Sequence, residues 1–168
     1  MAMEYHDFRE DDVFSMKGRT TIWTDRVIEV GLQFNNERGN REQVLRYLDA
    51  INEQIEFIVQ NRGMIADILT KDGMLSMAED WITGDDDLEE GETRTYTLDD
   101  GNEVTVPLSE KVFRSSLRME SIVIDLTGGR ENQSAELYVF CIPDYFKGHR
   151  IILDVEHDGT ITCRGLTA

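Results

Sequence analysis

Residues 28–58 read IEVGLQFNNERGNREQVLRYLDAINEQIEFI, and the change of period inside this stretch decides the fold class. Ile28, Val30, Leu32 and Phe34 alternate with Glu29, Gly31, Gln33 and Asn35. A period of two sends successive side chains to opposite faces, so this segment reads as a strand with one buried face. The turn residues NERGN at 36–40 then break the alternation. Beyond them Val44, Leu48, Ile51, Ile55 and Ile58 recur at helical spacing, which predicts an amphipathic helix over 41–61. Asn40, followed by Gln43, reads as its N-cap with a reciprocal glutamine.

On the N-terminal side, residues 20–23 are the expected hairpin partner of the strand, with a turn near Thr24 and Asp25. Residues 1–19 read as an N-terminal extension and 20–168 as a single domain. Downstream, Gly63 and Gly73 separate short helices expected over 64–70 and 74–82, which complete a helical layer with one apolar side. Residues 93–98 and 103–106 form a predicted hairpin around Asp99-Asp100-Gly101-Asn102, where Asp-Gly suits a turn that needs positive φ. Ser109 is placed to cap a short helix ending near Ser116. Residues 122–126, 137–142, 150–156 and 161–163 then read as short strands joined by tight connections, an antiparallel meander. Strands, then helices, then strands imply an α+β fold: an antiparallel sheet with a helical layer packed on one face.

The chain has 168 residues and is 40% hydrophobic, with two Trp, five Tyr and seven Phe, which is too rich in core-forming side chains for a disordered protein. No apolar run approaches the roughly 18 residues of a membrane span, and MAMEYHDFREDD at the N-terminus is acidic where a secretory signal is basic and then apolar. The expected location is the cytoplasm, where Cys141 and Cys163 stay reduced and act as small core hydrophobes; a disulfide would require their two strands to pair. With 34 Asp+Glu against 17 Lys+Arg, the net charge of -17 argues against binding nucleic acid directly or an anionic membrane surface. It favours a cationic protein partner.

The acidity is concentrated at 79–92, EDWITGDDDLEEGE, where Glu79, Asp80, Asp85, Asp86, Asp87, Glu89, Glu90 and Glu92 occur with no basic residue. Residues 83–92 read as an acidic loop, and Trp81 beside it is a candidate aromatic anchor of the kind that makes hot spots in charged interfaces. The run lacks the spacing of a calcium loop, and His6, His149 and His157 are too scattered for a transition-metal site. Neither a metal nor a cofactor is expected. Gly128-Gly129 matches no phosphate-binding loop and reads as a hairpin connection.

The most specific short motif is PDYF-x-GH: Pro143, Asp144, Tyr145, Phe146, Gly148 and His149. A carboxylate that orients an imidazole can shuttle protons, so Asp144, Tyr145 and His149 are the sharpest enzymatic candidates. No nucleophile, metal or anion binder accompanies them in sequence, and a catalytic set needs one. The structural reading is a turn in which Asp144 bonds backbone amides, Tyr145 and Phe146 plug the sheet edge, and Gly148 takes a special backbone angle.

Residues 138–166, YVFCIPDYFKGHRIILDVEHDGTITCRGL, resemble the C-terminal half of an uncharacterised bacterial family. The segment 106–126, VPLSEKVFRSSLRMESIVIDL, and the amphipathic helix with Trp81 downstream extend that resemblance to residues 20–168. The resemblance implies a small cytosolic α+β protein. Some members of the family are suspected immunity proteins of toxin systems, and no established activity comes with the family. Charge and resemblance together point to an inhibitor that binds a cationic toxin domain, a nuclease fitting best, through the acidic run. The alternatives are a small hydrolase or ligand-binding domain using the turn at 144–149, and a DNA-mimic anti-restriction protein. Composition and spacing leave the oligomeric state open.

Overall fold

A computed structural model describes residues 2–12, 14–23, 26–35 and 40–167. The expected turn at Thr24 and Asp25 and most of the NERGN loop lie outside the described residues. In chain order the elements are β1 (Phe8–Glu10), β2 (Met16–Thr21), β3 (Val27–Gln33), α1 (Asn40–Gln60), α2 (Arg62–Lys71) and α3 (Met74–Thr83). There follow β4 (Arg94–Thr97), β5 (Glu103–Val106), α4 (Glu110–Ser116), β6 (Leu117–Asp125), β7 (Ser134–Cys141), β8 (Ile151–Val155) and β9 (Ile161–Leu166). The fold is α+β. Seven strands make one sheet in the order β1-β2-β3-β6-β7-β8-β9, and β4 with β5 makes a separate hairpin. Neighbours in the large sheet are antiparallel except β3 and β6, which run parallel from Glu29↔Ser121 to Gln33↔Asp125.

The inner face of the sheet is the alternating apolar set. Ile28, Val30 and Leu32 of β3, Ile122 and Ile124 of β6, Leu137 and Val139 of β7 and Ile151, Leu153 and Val155 of β8 are all buried. Val44, Ile51, Ile55 and Ile58 of α1 cover them, with Leu48 half-buried against the same core. β6 is longer than its expected 122–126 core because its alternation changes phase: Leu117 and Met119 face inward at odd positions, Ile122 and Ile124 at even ones. A bulge between Met119 and Ser121 absorbs the extra residue, Glu120, and keeps both halves on one face.

Residues 1–19 are not an extension. β1 and most of β2 come from them, and Met3, Phe8 and Met16 belong to the core. Gly18 makes this possible, since a Cβ there would meet Met3 Cε at 2.7 Å and Phe8 Cδ1 at 2.9 Å. Asn52 of α1 then fastens the N-terminus reciprocally, accepting from Met3 N at 2.7 Å and donating to Met3 O at 2.8 Å. The sequence signal is faint because β1 is three residues long, too short for a period of two to show.

Two expected helix boundaries move. Gly63 lies inside α2, and the break between α1 and α2 is at Asn61, whose side chain donates back to Phe57 O at 2.7 Å. Gly73, at φ +88, does separate α2 from α3. Asn40 opens α1 but its amide faces away from the helix end: Nδ2 donates to Ser15 O at 3.0 Å and Oδ1 is buried without a hydrogen-bond partner among the described residues. The expected cap is thus replaced by a tether to the chain just before β2. Ser109 does cap α4, accepting from Val112 N at 3.1 Å. Cys141 and Cys163 are free thiols on β7 and β9, which β8 separates, and burial pushes the Cys141 thiol up to about 12.

The placement of Phe8 in the core gives a direct test. Phe8→Ala should destabilise the protein by about 3–5 kcal/mol, the usual cost of removing a buried phenyl ring. Chemical denaturation measures it, and an unchanged midpoint would show residues 1–19 to be peripheral.

Candidate functional site

β7 ends at Cys141, and the chain turns through 143–149 before β8. Tyr145 N donates to Pro143 O at 3.0 Å and His149 N to Phe146 O at 3.0 Å, so the turn closes on its own backbone. Lys147 and Gly148 both have positive φ, 51° and 85°. Two adjacent residues in that region make a sharp reversal, and glycine at the second removes the Cβ clash there. Tyr145 and Phe146 are each 1% exposed. Tyr145 stacks on Phe113 of α4 with centroids 6.4 Å apart, and burial pushes its phenol above the ordinary range.

Asp144 and His149 do not form a pair. Asp144 contributes its backbone N–H, which donates to Asp100 Oδ2 at 2.8 Å, so here the aspartate is the donor to another carboxylate. His149 is fixed by different partners: Nδ1 is 2.8 Å from Thr167 O, and the ring meets Trp81 edge-on at 5.2 Å. Since a carbonyl only accepts, Nδ1 carries the proton in this contact.

Trp81 therefore sits between the two motifs that stand out in the sequence. It lies on α3 near the start of the acidic run, half-buried, and its ring also meets Phe146 edge-to-face at 5.9 Å and 74°. It is packed on the turn and on the core rather than projecting as a free anchor.

The acidic run divides into residues used inside the protein and residues left in water. Glu79 Oε2 accepts from Leu108 N at 3.2 Å, joining α3 to the chain after β5. Asp86 accepts from Tyr96 Oη at 2.9 Å and pairs with Arg94 at 3.2 Å. Glu92 pairs with the same arginine at 2.7 Å and accepts from Glu89 N at 2.9 Å. The Glu89 N–H first, and Arg94 next, hold the Glu92 carboxyl below the ordinary carboxylate range. Glu92 and Asp86 in turn strengthen the hold on the β4–β5 hairpin, with the Arg94 guanidinium raised by its bond to Glu92. Asp80, Asp85, Asp87, Glu89 and Glu90 are exposed and make no ion pair among the described residues.

The two regions thus form one surface, built from the C-terminal end of α3, the loop after it, the β4–β5 hairpin and the turn at 143–149. Three braces hold it: Trp81 on Phe146 and His149, Arg94 between Asp86 and Glu92, and Asp100 on Asp144. A loop fixed in this way presents its free carboxylates with less ordering entropy left to lose on association. Sequence reasoning missed Arg94, Tyr96, Asp100 and Leu108 as the residues that do the holding. Arg94 was within reach, being the first basic residue after the run.

Elsewhere, a cleft of about 300 Å³ lies between α1 and the β8–β9 turn, lined among others by Glu53, Arg130, Gln133 and His157. It contains none of the residues in the acidic run or the turn. Among the described residues no three His, Cys, Asp or Glu side chains converge as metal ligands, and no helix is long and apolar enough to cross a membrane.

The seven-stranded sheet and the helices of its long connection make this an α+β protein. The chain belongs to the family of uncharacterised proteins conserved in bacteria designated DUF2262, whose family model matches residues 7–166. The match begins just before β1, in keeping with the place of the N-terminal strands in the sheet. No curated protein and no solved structure matches the chain significantly.

The Asp100–Asp144 brace has a pH signature. The Asp144 N–H first, and then the Asn102 N–H, hold the Asp100 carboxyl below its ordinary range. A carboxyl depressed in the folded state contributes stability that is complete above its ordinary pKa, about 4, and is lost as pH falls through the lower folded value. The protection factor of the Asp144 amide against hydrogen exchange, its intrinsic rate at each pH divided by the observed one, should therefore be steady near neutral pH and fall below about pH 4. In Asp100→Ala that factor should be roughly five- to tenfold lower at neutral pH already, with its acid dependence gone. Equal protection in the variant would remove Asp100 as a brace.

Proposed function

We propose that this protein is a binding inhibitor of a cationic protein, an immunity protein acting in the cytoplasm, and that the exposed carboxylates of the braced loop are its docking surface. One observation carries the reading: Glu79, Asp86 and Glu92 hold the loop in place while Asp80, Asp85, Asp87, Glu89 and Glu90 face water without a cation among the described residues. Like charges gathered on a fixed loop repel one another, and a cationic partner relieves that repulsion. The net charge of -17 speeds encounter with such a partner, and carboxylates can occupy the positions where a nuclease holds phosphate oxygens.

The hydrolase alternative is weaker because it needs a carboxylate behind His149, and the contact there is the Thr167 carbonyl. A DNA mimic would want carboxylates spaced at phosphate-like intervals along an extended surface, whereas Asp85, Asp87, Glu89 and Glu90 crowd into one short loop.

Co-expression tests the proposal, using a toxic basic domain encoded in the neighbouring reading frame. The wild type should restore growth and bind that domain with an affinity that falls steeply with added salt. Replacing Asp85, Asp87, Glu89 and Glu90 together by Asn or Gln should slow association by about tenfold or more while the far-UV spectrum stays unchanged. A complex that is indifferent to both salt and these substitutions would place the interface elsewhere.

A further inference from the structure

Arg62, Arg114 and Arg118 line an open cleft of about 380 Å³, together with Gly63, Ala66 and Ser115. The cleft lies between the first turn of α2 and the α4–β6 junction. Three arginines on one cleft are unexpected in a chain with 17 basic residues against 34 acidic ones.

Two of them are held side by side. Arg62 Nη2 donates to Leu117 O at 2.8 Å, and Arg118 Nη1 donates to the same oxygen at 3.0 Å and to Ser115 O at 2.7 Å. Neither forms an ion pair with a carboxylate among the described residues. Arg114 differs, being paired with Asp67 and, at 3.5 Å, with Glu110. Burial, and next the charge of Arg118, pull Arg62 below the usual arginine range, although a guanidinium stays protonated at any ordinary pH. The Arg62 guanidinium also lies over the Trp23 ring, 5.3 Å from its centre, a cation–π contact.

Carbonyl groups at the end of a helix attract one cation readily. The two lone pairs of the Leu117 oxygen accept both guanidiniums, and the contact brings like charges together with no carboxylate to offset them. The hydrogen bonds above use only Nη2 of Arg62 and Nη1 of Arg118, and a guanidinium has five N–H donors.

We propose that this cleft binds a phosphate dianion, seated between Arg62 and Arg118 with Arg114 and Ser115 at its rim. A carboxylate brings one negative charge, whereas a phosphate monoester at neutral pH brings between about 1.5 and 2 with several acceptor oxygens, which matches two unpaired guanidiniums. A polyanion such as nucleic acid is disfavoured, because it would carry many charges into the field of a chain of net charge -17. A small dianion is sheltered from most of that field by screening over about 8 Å. The cleft shares no residue with the acidic loop, so its test is independent of the inhibitor proposal.

The test is a titration of the full chain followed by ¹H–¹⁵N NMR, with ionic strength held constant by KCl. Inorganic phosphate should produce saturable shifts of the Arg62 and Arg118 Nε–Hε signals and of the Trp23 indole signal. Arg62→Gln and Arg118→Gln should each weaken binding by about tenfold or more. Arg130→Gln, whose native partner is Asp49, should leave it unchanged. Should Arg62→Gln fail to fold, because Arg62 packs on Trp23, Arg118→Gln carries the test alone. Tighter binding of ribose 5-phosphate than of inorganic phosphate would identify an organic monoester, and equal binding free phosphate. Shifts no larger than those from KCl alone, or binding undiminished in Arg118→Gln, would overturn the proposal.

Discussion

The parallel ladder between β3 and β6 dictates the path of the chain through the rest of the molecule. Two antiparallel neighbours can be joined by a short turn, but parallel neighbours oblige the chain to travel back along the sheet before it can pair again. Here everything from Asn40 to Ser116 is that return path. It contains α1, which covers the apolar face, and it also contains the loop, hairpin and helix that bear the candidate site. The site is thus an elaboration of a connection the topology requires, laid over a core that β3 and β6 complete on their own side. The turn at 143–149 comes from the opposite part of the chain, after β7, and the two meet through Trp81 and Asp100.

Much of this was legible from residue pattern where an element was long and regular. The alternation at 28–34, the helical spacing at 44–58, the Ser109 cap and the Asp-Gly turn each carry a local physical cause that the folded protein keeps. The parallel pairing was not legible, because strand direction depends on which strands meet and not on the pattern within either. The first half of β6 was hidden by the bulge at Glu120, which shifts the phase of the alternation without changing the face. β1 was hidden by its brevity. In the candidate site, sequence marked the acidic run and the turn separately. Their junction could not be read, since Trp81, Phe146 and His149 are brought together only by tertiary packing.

Charge is distributed with a division of labour. Several of the few arginines act as internal clamps: Arg94 on the acidic loop, Arg130 on Asp49, Arg114 on Asp67, Arg164 on Glu136 and Asp154. Each draws carboxylates into fixed positions, and the excess acid remains on the outside. Exposed pairs of this kind add little to stability individually. Their effect is geometric: Arg94 fixes where the free carboxylates of the loop after α3 stand. Arg62 and Arg118 clamp no carboxylate among the described residues and meet instead on the Leu117 carbonyl.

The large sheet has two free edges, and both are poorly suited to recruiting another strand. β1 offers only three residues. β9 is interrupted at Arg164, where Ile152 pairs with Gly165 and Leu153 with Cys163, and the extra residue turns its guanidinium back to Asp154 at 2.7 Å. A bulged edge carrying a charge, like a very short one, gives an incoming chain no straight row of amides to copy. Copies of the chain therefore find little to pair with edge to edge, and the sheet should resist strand addition even at high protein concentration.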